Sequence, residues 1–482
     1  MKPVTRNFRE TAASTMADPN IQAALEKVYN GFFKARIAAG AATENWEDLR
    51  TRGKAIKDHA IANLDFYLDM LATNVERNGG HVFFAKDAAE ANRYVLDLAR
   101  QSNVRTVIKS KSMVSEEMGI NSLLIDAGIE TVETDLGEYI IQLAGETPYH
   151  LIAPAIHKQK SEVADLLAAR SGGDRKNDAE ALTMQAREQL RAVFQRADMS
   201  ITGVNFGVAE SGGITLVTNE GNGRMATSVP RIHVAVMGME KIVPSIRDLS
   251  TMLRILIRSA TGQRISTYVT MVNGPRRAGE EDGPEEFHLV IMDNGRSKLL
   301  ADSNLREALN CIRCGACLNA CPVYRKVGGH SYGWVYPGPI GAIVSPVLTG
   351  LKDAKNLPYA SSLCGACHDA CPVKINIPRM LLELRGKVVE SEDPTENARG
   401  RWEPLVWKGW KWGMMDRKRF DRGARLGKAA GGPLANDGWL KRSIPPINGW
   451  TSSRDFPLPA GESFVKRFSK RINEMSEQSA GE

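Results

Sequence analysis

Two stretches decide how this chain of 482 residues is read: Cys311-Ile-Arg-Cys314-Gly-Ala-Cys317-Leu-Asn-Ala-Cys321-Pro322 and Cys364-Gly-Ala-Cys367-His-Asp-Ala-Cys371-Pro372. Together they hold all seven cysteines. An odd count at such short spacings makes a poor disulfide framework and a good metal site. The first run has the C-x2-C-x2-C-x3-C-P spacing of cluster-binding ferredoxins. Three thiolates at two-residue gaps fit one turning loop and reach three corners of a single [4Fe–4S] cube. The fourth lies on the departing helix and points toward a second cube. Gly315, without a Cβ, lets backbone N–H groups approach the cluster sulfides, and Pro322 starts a new chain direction without needing an N–H partner.

Two such runs that exchange their last cysteine make two clusters. Cys311, Cys314, Cys317 and Cys371 then serve the first, and Cys321, Cys364 and Cys367 remain for the second. Counting back through the second run puts Ser361 where the missing cysteine would fall. Three outcomes are open for that cluster: [4Fe–4S] with an oxygen ligand or an open iron, [3Fe–4S], or a ligand from elsewhere. A Ser361 alkoxide is a harder donor than thiolate and a poorer match to iron–sulfur chemistry. His330 and His368 are read as surface histidines. A zinc ribbon would need four ligands in two pairs, fewer than the seven present. Helical flanks and the long separation of Cys321 from Cys364 favour an α-helical ferredoxin module. Such a module carries single electrons and by itself oxidises nothing.

Working outward, residues 1–80 read as helices. Asp18-Pro19 is a cap with proline at the first helical position, and a second helical pattern from Trp46 stops at Gly79-Gly80. From His81 to Asp293 short β-like runs alternate with helical ones, which predicts an α/β domain with a largely parallel sheet. Expected strands include Val82–Phe84, Thr106–Ile108, Leu151–Ala153, Ile201–Val208, Val234–Met237 and Phe287–Met292. A helix is expected from Val114 to Ala127. The organisation is therefore 1–80 helical, 81–300 α/β, 301–395 ferredoxin-type, and 396–482 a basic extension rich in tryptophan, expected to be poorly folded.

Charge divides along the same line. Residues 401–482 carry 16 Lys and Arg against 9 Asp and Glu, whereas the first 400 hold 47 of each sign. A neutral body argues against a nucleic-acid partner. The basic tail suits an acidic partner or an anionic membrane surface; its tryptophans suit packing on the ferredoxin helices or on a partner subunit. The chain starts without a secretory apolar run and has no stretch of membrane-spanning length, so a cytoplasmic protein is expected, with peripheral membrane contact through the tail. Within the α/β region, Gly203–Gly213 ends a strand where open sheets bind ligands. Glu210 there is a candidate general base or nucleophile. Lys109-Ser-Lys111-Ser and Asn219–Arg224 are candidate anion loops.

The cysteine runs, the Leu357–Leu363 approach to the second of them, and the segments Gly203–Gly213 and Arg224–Arg231 resemble the lactate-utilisation protein B family over nearly the whole chain. The resemblance implies a LUD domain, similar in fold to the sugar-phosphate isomerase and CoA-transferase group, followed by a module with two [4Fe–4S] clusters. It implies an iron–sulfur electron-transfer subunit of a three-part system oxidising L-lactate to pyruvate, not a self-sufficient enzyme. The partners it implies are a cysteine-rich redox subunit and a shorter LUD-domain subunit. Two other readings stand beside it: a related 2-hydroxy-acid redox complex, and an acyl- or CoA-transfer enzyme whose clusters regulate it.

Overall fold

Short β-branched runs, each bounded by a capped helix or a glycine turn, build the centre of the molecule. In chain order the strands are β1 (His81–Ala85), β2 (Thr106–Lys109), β3 (Glu130–Glu133), β4 (Met199–Gly203), β5 (Phe206–Val208), β6 (Gly213–Thr218), β7 (Ile232–Gly238), β8 (Ile242–Val243), β9 (Tyr268–Val272) and β10 (Glu286–Met292). Six of them form a sheet in the order β1-β10-β7-β4-β2-β3, with every pair parallel. Helices cover such a sheet, so its inner strands are largely buried and mostly apolar; β7 is buried along its whole length. A smaller four-stranded sheet, β8-β5-β6-β9, is mixed. The computed structural model describes residues 3–400, 402–441 and 454–479.

Caps explain where the helices start. The Asp18 carboxylate accepts from the N–H groups of Asn20 and Ile21 at the head of Pro19–Val28, and Asp87 accepts from Glu90 N–H at the head of Ala88–Gln101. The helix expected over Val114–Ala127 is two helices, Met113–Met118 and Ile120–Asp126, because Gly119 between them takes φ +69°. Ile201–Val208, expected as one strand, is split between the two sheets as β4 and β5. Leu151–Ala153 is no strand. Its N–H groups turn inward, those of Ile152 and Ala153 donating to His150 Nδ1 at 3.0 and 3.3 Å, so no ladder forms.

The described residues make two compact units, 1–398 and 399–482. In the first, one continuous core runs from Leu25, Ile56 and Leu71 through Phe206 and Met252 to Ile312, Ile343 and Leu381. The N-terminal helices, the α/β region and the cysteine region share it. The second unit corrects the expectation of a poorly folded tail. It contains the helices Glu403–Met414, Arg417–Gly431 and Phe464–Ser479 and a short antiparallel pair, β11 (Trp439–Leu440) with β12 (Phe456–Pro457). Asp416 caps its middle helix by accepting from Arg419 N–H at 2.8 Å. Glycine and proline counts hid this helical periodicity. Trp402, Trp407, Trp410 and Trp412 are exposed within this unit, and Trp450 lies outside the described residues. No helix among the described residues is long and apolar enough to cross a membrane.

Two buried histidines give the fold a pH dependence. Burial pushes the pKa of His150 down to about 4 and that of His233 to about 3. In the unfolded chain histidine titrates near ~6.5, so that state binds more protons below this value and stability falls as pH drops from about 6.5 toward about 4. The loss should approach about 1.4 kcal/mol per pH unit for each histidine. Urea unfolding at about pH 7 and about pH 5 checks this, and a His233→Asn variant should lose its share of the slope.

Candidate metal centre and adjoining cavity

The two cysteine runs fold the same way. In the first, Arg313 and Gly315 take φ +59° and +74°; in the second, Leu363 and Gly365 take +56° and +87°. Each loop then enters a five-residue helix, Ala316–Ala320 and Ala366–Ala370, and the two helices pack together. The equivalence reaches the side chains. Arg313 N–H donates to Cys311 Sγ at 3.4 Å, and Leu363 N–H donates to Ser361 Oγ at 3.1 Å. Ser361 therefore makes, in its own loop, the bond that Cys311 makes in the other.

Cys311, Cys314, Cys317 and Cys371 line one small cavity walled by Leu151, Ile312, Ile340 and Ile375. Burial pushes the Cys314 thiol up to about 12, with the nearby Cys371 and Cys311 adding to it, and pushes Cys371 up to about 11. Burial and then Cys321 raise Cys367 to about 12, and burial raises Cys321, with Cys364 adding. Cys364 is exposed, and its pKa is lowered by the Ala366 N–H and the Ser362 hydroxyl. Soft donors crowded in an apolar pocket, where their anions repel one another, suit a cationic thiophilic group such as an iron–sulfur cluster. The residues present fit that group.

Side chains from far along the chain hold the second loop. Arg50, from the helix Trp46–Ala62, donates through Nη2 to the carbonyls of Cys371 and Asp369, both at 2.8 Å. Arg36 Nη2 donates to the Ala370 carbonyl at 2.7 Å. These carbonyls end a short helix, where positive charge is favoured. On the first loop, His150 Nδ1 accepts two N–H groups, so Nε2 carries the proton and donates to Asn319 Oδ1 at 2.9 Å. His330, expected at the surface, is half-buried: its Nε2 donates to the Thr147 carbonyl at 2.7 Å and its ring packs edge-on against Tyr149. His368 Nδ1 bonds the Ile375 carbonyl at 3.0 Å.

Behind Cys311 lies a buried ionic chain. Glu240 accepts from Arg296 Nε at 2.6 Å and from Arg313 Nη2 at 3.3 Å. Arg296 also forks onto Glu117 with two 2.9 Å bonds, and Glu117 accepts from the Tyr336 hydroxyl at 2.6 Å. Burial alone would raise the Glu240 carboxyl, but Arg296 and Arg313 bring it down to about 2.

Arg313 also lines a second cavity of about 420 Å³. This one opens at the C-terminal ends of β2 and β4, between Ser110–Met113 and Gly203–Asn205. The position is a topological switch point: β2 leads to β3 on one side, whereas β4 leads back to β7 on the other, the place where open parallel sheets bind ligands. Of the candidate anion loops, Ser110, Lys111, Ser112, Asn219, Glu220 and Asn222 line the cavity, and the carboxylate residue Asp135 lines it beside Glu220. Lys109 does not; it is buried between Glu133 at 2.6 Å and Glu116 at 3.0 Å, and Arg224 is exposed. Glu210 is not among the lining residues. It is exposed and accepts from Ile246 N–H at 2.9 Å, at the head of the helix Ile246–Thr261 that Ser245 caps. Gly212 packs so closely on Asn74 that a Cβ would lie 2.5 Å from its backbone carbon.

Comparison with known proteins follows this division. Residues 68–292 match the LUD domain, 307–375 the 4Fe-4S dicluster domain and 385–473 the C-terminal domain of lactate utilisation protein B. Lactate utilization protein B of Bacillus licheniformis is 45% identical over 99% of each chain. The chain belongs to the lactate utilisation protein B family. The Shouchella clausii member is 49% identical over 89% of this chain and 90% of its own, and that of Bacillus subtilis 44% over 98% of each. A solved structure of a DUF162 family protein from Deinococcus radiodurans, 14% identical, covers 48% of this chain and 98% of its own with a TM-score of 0.28, too low to carry an argument.

In this family member, reading the sequence missed Arg36, Arg50, Lys241 and Arg313. Arg313 was in plain view inside the first motif, and Lys241 follows the buried strand β7, where two adjacent charges were a legible signal. Removing the anion between two buried arginines should be costly. Glu240→Gln is expected to lower stability by about 3–5 kcal/mol, measured as a shift in urea unfolding; a loss under about 1 kcal/mol would mean the bridge is not built as described.

Proposed function

We propose that this chain is the iron–sulfur electron-transfer subunit of a cytoplasmic three-part system that oxidises L-lactate to pyruvate. The observation that carries the reading is the paired cysteine loops, alike in backbone and packed helix against helix. Support also comes from relatives named for lactate utilisation that match along nearly their full length. The partners on this reading are a cysteine-rich redox subunit and a shorter LUD-domain subunit. The basic tail supplies a contact with an acidic partner or an anionic membrane surface.

Cys311, Cys314, Cys317 and Cys371 would hold one [4Fe–4S] cluster, and Cys321, Cys364 and Cys367 the other. When bound, such clusters accept and release single electrons. The chain's own part is to hold the thiolates and keep water from the first set. Arg36 and Arg50 fix the loop that brings Cys371 across to the first set. Ser361 is the residue nearest in role to a fourth ligand for the second set, on the strength of its bond to Leu363 N–H. The exposure of Cys364 makes the second set the natural exit toward a partner.

Low-temperature electron paramagnetic resonance on anaerobically purified protein tests the reading: two interacting cubane signals are expected after reduction, and a colourless zinc protein would end it. Cys314→Ala should lose the first cluster and fail to restore growth on L-lactate to a deletion strain. Unimpaired growth would assign the electrons another path. Ser361→Cys should make the second cluster more resistant to oxygen, read as slower bleaching in air; an unchanged rate and spectrum would place Ser361 outside its coordination.

A further inference from the structure

The cavity beside the cysteine loops holds polar groups that nothing in the protein satisfies. Lys241 is only 6% exposed and lines the cavity, yet no carboxylate among the described residues lies within ion-pair reach of its ammonium group. Its neighbour in sequence, Glu240, turns its carboxylate to Arg296 and Arg313. Arg313 uses Nη2 on Glu240 and leaves Nη1 buried without a partner. In the short helix Asn222–Ala226 that follows β6, Asn222 is 7% exposed, and neither its amide nitrogen nor its oxygen is bonded. Burial lowers the pKa of Lys241 to about 7, so a full charge there calls for an anion beside it, and a buried amide with no hydrogen-bond partner is unfavourable for the same reason of lost hydration. A fold keeps such groups at a cavity wall where something else satisfies them.

We propose that this cavity binds a small organic anion, its carboxylate or phosphate held by Lys241 and Arg313 and its polar body by Asn222. The volume of about 420 Å³ is that of small-molecule sites, and the walls include Leu151, Ile152, Leu216 and Leu256, so the ligand has an apolar part as well. The location at the strand switch point supports the same conclusion independently of the unpaired groups. Arg313 and Leu151 line both this cavity and the cysteine-lined one, so a bound anion sits one side chain from the first thiol set. That adjacency deepens the electron-transfer reading and rests on it; the binding itself does not.

The chemistry fits two sources: a 2-oxo or 2-hydroxy carboxylate acting as substrate or product, and a mononucleotide-sized phosphate ester acting as cofactor. Isothermal titration of the anaerobically purified holo-protein with sodium pyruvate, and separately with flavin mononucleotide, distinguishes them. Saturable binding of either is expected, weakened tenfold or more in both Lys241→Met and Asn222→Leu, with iron content unchanged. Pyruvate binding alone would assign the site to substrate, and flavin mononucleotide binding alone to a cofactor. Binding of neither, or equal binding by both variants and the unaltered chain, overturns the proposal. An iron-free chain that still binds one probe keeps this inference and removes the electron-transfer reading; an iron-loaded chain that binds neither does the reverse.

Discussion

The carboxylate of Glu240, sealed between Arg296 and Arg313, ties the cysteine region to the parallel sheet. Glu240 follows the end of β7, Arg296 begins the helix after β10, and Arg313 lies inside the first cysteine motif. Two central strands and the metal loop thus meet at one buried anion. Breaking such a bridge strands a charge in a medium that solvates it poorly, so the three elements hold their relative positions. The two-residue gaps of the first motif place three thiols on one loop, but only this anchor sets where that loop stands against the sheet.

The second loop depends on a different device. Its short helix ends in carbonyls without helical partners, and Arg36 and Arg50 supply the donors. Both come from the N-terminal helices, more than three hundred residues away in sequence. Those helices therefore serve the cysteine region as much as the LUD domain, and the core they share has no seam between the two. Continuity of that kind gives a rigid frame, which suits a group whose electronic properties respond to small changes in hydrogen bonding and burial.

Such rigidity also explains how two sites can lie side by side with separate chemistry. The thiol-lined cavity is walled by aliphatic side chains, and the larger cavity at the C-terminal ends of β2 and β4 has cations, amides and the carboxylates of Asp135 and Glu220 among apolar walls. Arg313 belongs to both, and its charge is shared between Glu240 and the space beyond.

Much of this was legible in the residues themselves. The parallel α/β order, the Asp18 cap and the paired cysteine runs follow from local rules, because spacing fixes which side chains share a loop and which share a face. Leu151–Ala153 was misread since an apolar triplet looks like a strand until His150 is known to take its N–H groups. Glu210 drew attention as a carboxylate in a glycine-rich turn, yet its direction, out to the head of a helix, is a property of the packed chain. Sequence alone determined the soft donor set and the αL-prone glycines that let it turn, since both are matters of residue type and short spacing. Tertiary structure alone decided that Arg36, Arg50, Lys241 and Arg313 matter, since a charge acquires its role from the partners folding brings within a few ångströms, or leaves out.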